Sequence, residues 1–237
     1  MTNRTDTTTK LEALRSLLRG KSEMLLVLQS NPDPDALASA MALRALANGW
    51  GLSCSLACGG TVGRAENRAL VRYTKINVRS MDDVNVDRFD VVALVDAQPG
   101  QSNSSLPEGR VPDVIIDHHP ARPESRRAAF TDIRSRWGAT STILLEYLQA
   151  ANIEPDAPLA TALLYGIRSD TQDFGRKATQ ADIDAFDVLY PRANKRMLGA
   201  IQRGQVPLAY FRMLATALAN ARRCGRCIFS GLGAVDN

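Results

Sequence analysis

The sequence predicts an α/β fold in which a parallel β-sheet is flanked by helices. Short apolar runs at residues 24–28, 91–95 and 114–116 alternate with longer segments that are rich in alanine and leucine. Uninterrupted apolar runs of this length are typical of strands that are buried on both faces, and strands that alternate with helices favour a parallel sheet. Each of these runs is also followed closely by acidic side chains.

The individual elements follow from local composition and spacing. Residues 10–18 carry leucines at positions 11, 14, 17 and 18, which lie on one face of a helix that Gly20 ends. Residues 36–47 are predicted to form a buried helix that stops at Asn48 and Gly49, and Thr179 is predicted to cap a helix at 180–189. Further strands are predicted at residues 52–57 and 76–78, and further helices at 64–73, 139–150 and 159–167.

The composition is that of a soluble globular protein with one large domain or slightly more. The 237 residues are 45% hydrophobic and 23% charged, which is sufficient apolar material for a sizeable core. No apolar run approaches the roughly 20 residues that are needed to cross a bilayer, and residues 1–9 lack the apolar core of a signal peptide. We therefore expect a cytoplasmic protein with no membrane partner.

The net charge of +4 is unevenly distributed along the chain. Residues 192–235 contain eight basic side chains and no acid, whereas the rest of the chain has more acids than bases. This basic stretch is a phosphate-binding surface, a solvated helix face, or one side of an interface. Its basic residues are Arg192, Lys195, Arg196, Arg203, Arg212, Arg222, Arg223 and Arg226.

Four cysteines form two close pairs, Cys54 with Cys58 and Cys224 with Cys227. A chain with a core of this size needs no disulfides, so packing in a predicted strand is the simpler interpretation of the first pair. The alternatives are a zinc site shared by both pairs and a redox pair at Cys224 and Cys227.

The strongest functional signal is a set of acids and histidines at the ends of predicted strands. Asp33 and Asp35 follow residues 24–28, Asp96 follows residues 91–95, and Asp117-His118-His119 follows residues 114–116 and contains both histidines of the chain. The carboxyl ends of parallel strands meet at one crevice, and several carboxylates in one cleft cannot all stay ionised without cations. Such ligands favour Mn²⁺ or Mg²⁺, and two ions about 3.5–4 Å apart support phosphoester hydrolysis. Taken alone, Asp117 and its neighbours are equally compatible with a turn cap and solvated histidines.

Four segments resemble, in order, the motifs of the DHH phosphoesterase superfamily. They are Asn31-Pro-Asp33-Pro-Asp35-Ala, Asp96 after its strand, Asp117-His118-His119, and Gly166-Ile-Arg-Ser-Asp170-Thr. The chain is most similar to the DHH/DHHA1 branch, which includes oligoribonuclease and 3′-phosphoadenosine 5′-phosphate phosphatase enzymes. The resemblance extends over about residues 20–235.

The resemblance implies a dinuclear centre, usually of Mn²⁺, with Mg²⁺ or Co²⁺ as alternatives. It implies that one ion is held by Asp33 and Asp96 and the other by Asp96 with the remaining metal ligands, so that Asp96 bridges the two. The remaining metal ligands would be Asp35, His118 and Asp170. By the same resemblance, Asp117 orients His118, and His119 faces the scissile phosphate as electrostatic stabiliser or acid.

The implied activity is two-metal hydrolysis of phosphoester bonds in short oligonucleotides or small nucleotides. The expected partner is a nucleotide or a short single-stranded nucleic acid, and a homodimer is left open. Three arginines that follow the histidines are candidates for contact with substrate phosphates, with an ordinary solvated loop as the alternative. They are Arg122, Arg126 and Arg127.

The sequence departs from the family pattern at two places. Gln29 stands where the family usually has a histidine, and no glycine-rich substrate-binding motif follows the basic stretch. We therefore expect an N-terminal tail and helix at 1–20, a DHH domain at 21–191, and a basic connector helix with the start of an incomplete DHHA1-like domain at 192–237.

Other functions stay open from the sequence alone. The main alternative is a non-catalytic or fragmentary nucleotide- or metal-binding protein that lacks its substrate-binding domain. Less favoured are a pyrophosphatase of the same superfamily and a phosphotransferase with Asp33 as covalent nucleophile, since that chemistry leaves His118 and His119 without a role.

Overall fold

The central feature of the structure, a computed structural model that describes residues 4–203 and 208–232, is a six-stranded parallel β-sheet. Its strands are β1 (Glu23–Leu28), β2 (Ser53–Cys58), β3 (Val78–Ser80), β4 (Val91–Val95), β5 (Val114–Asp117) and β6 (Phe130–Ile133). They lie in the order β3-β2-β1-β4-β5-β6, and every neighbouring pair is parallel. The predicted α/β fold with a parallel sheet is therefore confirmed.

Helices connect and flank these strands. They are α1 (Arg4–Leu18), α2 (Pro34–Gly49), α3 (Ala65–Thr74), α4 (Thr140–Ala150), α5 (Ala157–Asp170), α6 (Gln180–Leu189), α7 (Lys195–Arg203) and α8 (Leu208–Ala219). Within the described ranges, none of them combines the length and apolar character that crossing a membrane requires. Three elements were not predicted from the sequence, β6, α7 and a short strand at Arg222–Cys224. The first is a four-residue edge strand, and the second is a polar helix that buries only Leu198 and Ile201.

Alternate side chains of the strands enter two separate apolar clusters. In β1, Met24, Leu26 and Leu28 face the helices, whereas Leu25 and Val27 face the opposite side of the sheet. Helices α2, α4 and α5 cover the first face, while the second is covered by loops and short 3₁₀ turns around residues 81–89. Because both faces of the central strands are buried, β4 and most of β1 and β5 are apolar and easy to recognise in the sequence.

The side of the sheet on which successive strands are added changes between β1 and β4, although all strands stay parallel. The chain runs outward from β1 through β2 to β3 and then returns to the other side of β1 at β4. Open α/β sheets bind ligands in the crevice at the carboxyl ends of the strands at this kind of reversal. The loops that carry Asp33 and Asp96 leave the sheet at this point, so the topology brings the predicted site residues together.

The carboxy-terminal part of the described chain is exposed. Helix α8 and the antiparallel hairpin formed by β7 (Arg222–Cys224) and β8 (Cys227–Phe229) bury no side chain. Cys224 and Cys227 face each other across the hairpin as exposed free thiols, and Cys54 and Cys58 are also free. Residues 204–207 and 233–237 of the predicted connector segment and residues 1–3 of the predicted tail lie outside the described residues, and the domain division stays a prediction.

Candidate metal centre

The Asp-Pro-Asp sequence places two carboxylates at the start of α2. Asp33 is the N-cap residue, and its Oδ1 accepts a hydrogen bond from the backbone N–H of Ala36 at 2.9 Å. Pro34 follows as the first helical residue, where its missing N–H costs nothing. Burial, reinforced by repulsion from Asp170, raises the pKa of Asp33. The first turn of α2 then directs Asp35 into the interior, where it is buried.

Asp35 is held by the amino terminus of α4. Its Oδ2 accepts from the backbone N–H of Thr140 at 2.7 Å, and its Oδ1 accepts from the backbone N–H of Ser141 at 2.9 Å. The first N–H groups of a helix have no partner within the helix and attract a carboxylate. Burial and repulsion from Asp170 and Asp33 nevertheless raise the pKa of Asp35 to about 6.

Helix α5 approaches Asp35 so closely that only glycine fits at the contact. A Cβ atom on Gly166 would lie 2.7 Å from the hydroxyl oxygen of Ser141 and 3.1 Å from the Cα atom of Asp35. Real Cβ atoms are not found at the first of these distances, so Gly166 allows the close packing of α2, α4 and α5. The same packing brings Asp170, the last residue of α5, to the site.

Asp96 follows β4 in a left-handed backbone conformation. Its φ angle is 56°, a region that aspartate tolerates better than most residues, and its backbone N–H donates to the carbonyl of Ile116 at 3.0 Å. The side chain is 1% exposed, and Oδ1 accepts from the hydroxyl of Thr140 at 2.8 Å. Burial and the repulsion of Asp35 and Asp33 raise the pKa of Asp96 well above its usual range. An ionised Asp96 therefore requires a positive charge beside it.

His118 presents a lone pair to these carboxylates. Its Nδ1 lies 3.1 Å from the backbone carbonyl of Trp137, so Nδ1 carries the proton and Nε2 is left unprotonated in the neutral ring. Nε2 lies 3.0 Å from Oδ2 of Asp170 and 3.6 Å from Oδ1 of Asp96. Nε2 is buried and makes no well-formed hydrogen bond within the described part of the chain, and its short approach to Asp170 is an ion pair when the ring is protonated.

The environment of His118 therefore attracts a cation. A lone pair and two carboxylates that face each other repel unless a proton or a metal ion lies between them. Burial would lower the pKa of His118, but the carboxylates of Asp170 and Asp35 outweigh it and raise the pKa to about 9. A metal ion competes with this proton for the same lone pair.

Asp117 contacts the ring of His119, not that of His118. Its Oδ1 accepts from Nδ1 of His119 at 2.9 Å and from the backbone N–H of His118 at 2.8 Å, while Oδ2 accepts from Nε2 of Gln98 at 2.6 Å. Burial would raise the pKa of Asp117, but these hydrogen bonds outweigh it and lower the pKa, while the same contact raises the pKa of His119. Asp117 was expected to orient His118; it contacts the backbone N–H of His118, while the carbonyl of Trp137 contacts the ring.

Gln29 points its amide nitrogen at Asp33. Nε2 of Gln29 lies 3.2 Å from Oδ2 of Asp33 and donates to it, while Oε1 of Gln29 accepts from Nδ2 of Asn103 at 2.7 Å. The side chain that stands in place of the expected histidine therefore presents N–H groups to this part of the site.

Two groups of side chains lie close enough to hold a metal ion. In each group, one ligand atom from every residue lies within 4.8 Å of the others. One group is Asp35, His118 and Asp170, and the other is Asp96, Asp117, His118 and His119. Oxygen donors with imidazole suit Mn²⁺ or Mg²⁺, and the unpaired Nε2 of His118 beside these carboxylates fits a divalent cation. Asp33 belongs to no such group among the described residues.

The three candidate arginines lie beside the site without joining it. The guanidinium of Arg122 donates to the carbonyl of Gly100 at 2.7 Å, and Arg127 lines a groove with Gly100 and Glu124. Arg126 is exposed and lies, like Arg127, on the short 3₁₀ helix Pro123–Arg127. In the described part of the chain, no side-chain hydrogen bond or ion pair links these arginines to the acidic cluster. This name denotes Asp33, Asp35, Asp96 and Asp170 together with His118.

Several residues that build the site were missed in the sequence. Thr140 contacts both Asp35 and Asp96, Gln98 holds Asp117, and the carbonyl of Trp137 holds His118. The run Gly138-Ala-Thr-Ser at the start of an apolar helix was the available signal, because the first N–H groups of a helix have no partner within it and can bind a carboxylate.

Asp182 supports the loop that supplies these contacts. It is fully buried at the start of α6 and accepts from the backbone N–H of Gly138 at 3.0 Å and the hydroxyl of Thr142 at 2.6 Å. It also accepts from the backbone N–H and the hydroxyl of Thr179, both at 2.7 Å. A single carboxylate thus joins α6 to the loop before α4, which carries Trp137, and to the first turn of α4, which begins at Thr140.

Comparison with known proteins places this geometry in context. Residues 23–167 match the sequence profile of the DHH family, N-terminal domain. An uncharacterized protein of Methanocaldococcus jannaschii is 36% identical over 219 residues, which are 92% of this chain and 45% of that protein. The crystal structure of an exopolyphosphatase-related protein from Bacteroides fragilis has the same fold, with a TM-score of 0.71 at 13% identity over 91% of this chain and 66% of that chain. This chain therefore spans less than two thirds of either protein.

Proposed function

This chain belongs to the DHH family, and on that premise we propose that it is a metal-dependent phosphoesterase. The observation that carries the proposal is the unpaired, buried Nε2 of His118, which faces the carboxylates of Asp96 and Asp170. A site that gathers carboxylates around an imidazole nitrogen attracts positive charge, and a divalent cation that displaces the proton on Nε2 can supply it. The reaction class follows from the family, and hydrolysis of a phosphoester is the chemistry that such a centre supports.

The residues that would hold the metal are those of the acidic cluster. Asp35, His118 and Asp170 would hold one ion together with Asp96, and Asp33 with Asp96 would hold a second. We propose Mn²⁺ as the physiological metal, with Mg²⁺ or Co²⁺ as substitutes, since all three accept oxygen and imidazole ligands. When bound, divalent cations lower the pKa of water and neutralise charge on a phosphoryl group.

His119 is proposed to act on the substrate directly. Its ring is half exposed, with a side-chain exposure of 44%, and Asp117 holds it through Nδ1. Nε2 is therefore the nitrogen that remains available, and the contact with Asp117 favours the protonated ring. A protonated His119 would stabilise charge on the phosphate and donate a proton to the leaving oxygen.

The proposed substrates are short oligonucleotides or small nucleotides. The exposed arginines of the carboxy-terminal segment, Arg212, Arg222, Arg223 and Arg226, supply positive charge without a nearby acid in that segment. Charge of this kind binds phosphate-containing partners without base specificity. Arg122, Arg126 and Arg127 are proposed as weaker contributors to the same contact, and a cytoplasmic location is proposed with this substrate class.

Hydrolysis of defined phosphoesters in the presence of Mn²⁺ tests the proposal. A labelled RNA dinucleotide and 3′-phosphoadenosine 5′-phosphate are the first substrates, with inorganic polyphosphate as a third. Asp96→Asn should lower the rate by about 100-fold or more, because it removes the shared carboxylate. Asp187→Asn, an exposed position on α6, is the matched control and should keep the full rate. Turnover that survives both chelation and Asp96→Asn would refute a metal-dependent mechanism at this site.

A second candidate function is metal or nucleotide binding without turnover. The observation that favours it is Gln29, which donates an N–H group to Asp33 where a metal ligand is expected. This alternative predicts that Mn²⁺ binds but that none of the three substrates is cleaved. A rate that chelation abolishes would exclude it.

A further inference from the structure

One side of the acidic cluster is preorganised for a cation. Asp35 is fixed by two backbone N–H groups of α4, and the Nδ1 contact with Trp137 turns Nε2 of His118 inward. Asp170 completes the group, and its Oδ2 lies 3.0 Å from Nε2 of His118. Asp35 and His118 are already oriented by partners that leave a lone pair free, and Asp170 lies beside them, so a cation can bind there with little rearrangement.

The side of the cluster that contains Asp33 differs. Oδ1 of Asp33 accepts from the backbone N–H of Ala36, and Oδ2 accepts from the amide N–H of Gln29. A cation beside Oδ2 would therefore meet amide hydrogens, which carry partial positive charge, instead of a lone pair. Histidine at this position would offer an unprotonated ring nitrogen, and the amide of Gln29 in its observed orientation offers none.

The orientation of the Gln29 amide is fixed by Asn103. Nδ2 of Asn103 donates to Oε1 of Gln29 at 2.7 Å, and the backbone carbonyl of Asn103 accepts from the N–H of Ser30 at 2.8 Å. Gln29 can present its oxygen to a cation only if its amide rotates by half a turn, which breaks the hydrogen bonds to Asp33 and to Asn103. The side chain of Asn103 must then rotate as well.

We infer that the two metal positions of this chain are unequal, so that one ion binds tightly at Asp35, His118 and Asp170 while the position at Asp33 fills only at higher metal concentration. This inference rests on the proposed metal-dependent function and adds the identity of the discriminating residues, Gln29 and Asn103. A substitution that provides a ring nitrogen at position 29 should equalise the two positions.

Titration of the metal-free protein with Mn²⁺ tests the inference without reference to activity. Calorimetry should detect one ion per chain at high affinity and a second at least about tenfold weaker, the scale on which supporting contacts alter metal affinity. Electron paramagnetic resonance of the protein with one equivalent should give the signal of an isolated Mn²⁺ ion. Gln29→His should tighten the second ion about tenfold or more and produce an exchange-coupled pair of ions.

Asn103→Ala provides an independent variant if Gln29→His fails to fold. It releases Oε1 of Gln29 without touching a metal ligand, so the second ion should bind more tightly than in the wild-type chain while the first is unchanged. The exposed Asn220→Ala is the matched control and should change neither.

The outcomes separate this inference from the proposed function. Two ions of equal affinity with exchange coupling in the wild-type chain would overturn the inference and leave the phosphoesterase proposal intact. An unchanged second affinity in both Gln29→His and Asn103→Ala would also overturn it. One tightly bound ion without turnover of any tested phosphoester would support the inference and refute the proposed phosphoesterase function. A protein that binds no metal would refute both proposals.

Discussion

The carboxylate of Asp117 lies 2.9 Å from Nδ1 of His119, although His118 is its immediate neighbour in the chain. The two adjacent histidines therefore have different supports, a buried carboxylate for His119 and the carbonyl of Trp137 for His118. The carboxylate of Asp117 favours the charged imidazolium of His119, whereas the carbonyl of Trp137 fixes a proton on Nδ1 of His118 and turns its Nε2 towards the carboxylates of Asp96 and Asp170. This difference in contacts is the basis for the proposed roles of His119 as proton donor and His118 as metal ligand.

Substitution of the two histidines should separate catalysis from metal binding. His119→Ala should lower turnover by about 10²- to 10⁴-fold, the usual contribution of an acid catalyst, and leave Mn²⁺ affinity unchanged. His118→Ala should instead weaken Mn²⁺ binding, because the unpaired Nε2 is lost. Both effects are measured by Mn²⁺ titration and by rates at saturating metal. Equal loss of metal affinity in the two variants would contradict the assignment.

The stability of the metal-free protein should fall as the pH rises from about 4 to about 6. Burial raises the pKa of Asp35 to about 6 from an unfolded value near 3.8, so the folded chain holds a proton that the unfolded chain releases. Asp96 and Asp33 are raised in the same direction, and their contributions have the same sign.

Urea unfolding in the presence of a chelator, and again with Mn²⁺, measures this dependence. Without metal, we expect the free energy of unfolding to fall by roughly 1–3 kcal/mol between pH 4 and pH 6. With Mn²⁺ present, the free energy of unfolding should rise over the same range, because the ion displaces the protons. Asp35→Asn should reduce the pH dependence of the metal-free protein, and Asp33 and Asp96 supply what remains. A metal-free protein that becomes more stable between pH 4 and pH 6 would contradict the charge repulsion described for this cluster.

Gly166→Ala should destabilise the fold and weaken metal binding together. The added methyl group would clash with Ser141 and with the backbone of Asp35, and overpacking of this kind costs about 1–3 kcal/mol. Gly199→Ala on α7 is the matched control, since its Cβ would meet only the end of the Arg203 side chain at 3.9 Å. The control should be neutral or stabilising by up to about 1 kcal/mol. Thermal unfolding and Mn²⁺ titration of both variants check the contrast.

Asp182→Asn should lower the free energy of unfolding and weaken Mn²⁺ binding, although Asp182 is not a proposed metal ligand. Asparagine retains one acceptor oxygen, so at least one of the groups that Asp182 binds loses its partner, at a cost of about 1–3 kcal/mol. Asp184→Asn on the same helix is the control, because Asp184 is exposed and accepts from exposed Gln180 at 2.8 Å. The Asp182 variant should also bind Mn²⁺ less tightly, since Trp137 and Thr140 lose their support. Wild-type unfolding free energy in Asp182→Asn would refute this role.

The sequence predicted the parts of the fold that depend on local pattern. Buried parallel strands are apolar throughout, so β1, β4 and β5 were recognisable, and the geometry of a parallel sheet implied that Asp35, Asp96 and His118 would meet. The structure brings these residues together, and their role as ligands stays a prediction. Strand β6 was missed because it has only four residues and contains polar Thr131 and Asp132.

The supporting contacts could not be predicted because they depend on side chains that are distant in the sequence. Which of two adjacent imidazoles reaches Asp117 is decided by the carbonyl of Trp137, and the position of that carbonyl depends on Asp182 in α6. Gln29 was identified as a departure from the family, but the direction of its amide depends on Asn103 in a separate loop. No local pattern encodes these pairings.

The residues around His118 come from segments that are far apart in the order of synthesis. Asp35 lies in α2 near the beginning of the chain, whereas Asp170 is the final residue of α5 and the loop that orients His118 depends on α6. A nascent chain on the ribosome therefore cannot assemble the preorganised position until most of the sheet and its helices have emerged. Metal capture would then follow folding, and a bound ion would stabilise only the completed domain. Chains that stop before α5 would gain no such protection and would remain open to proteolysis.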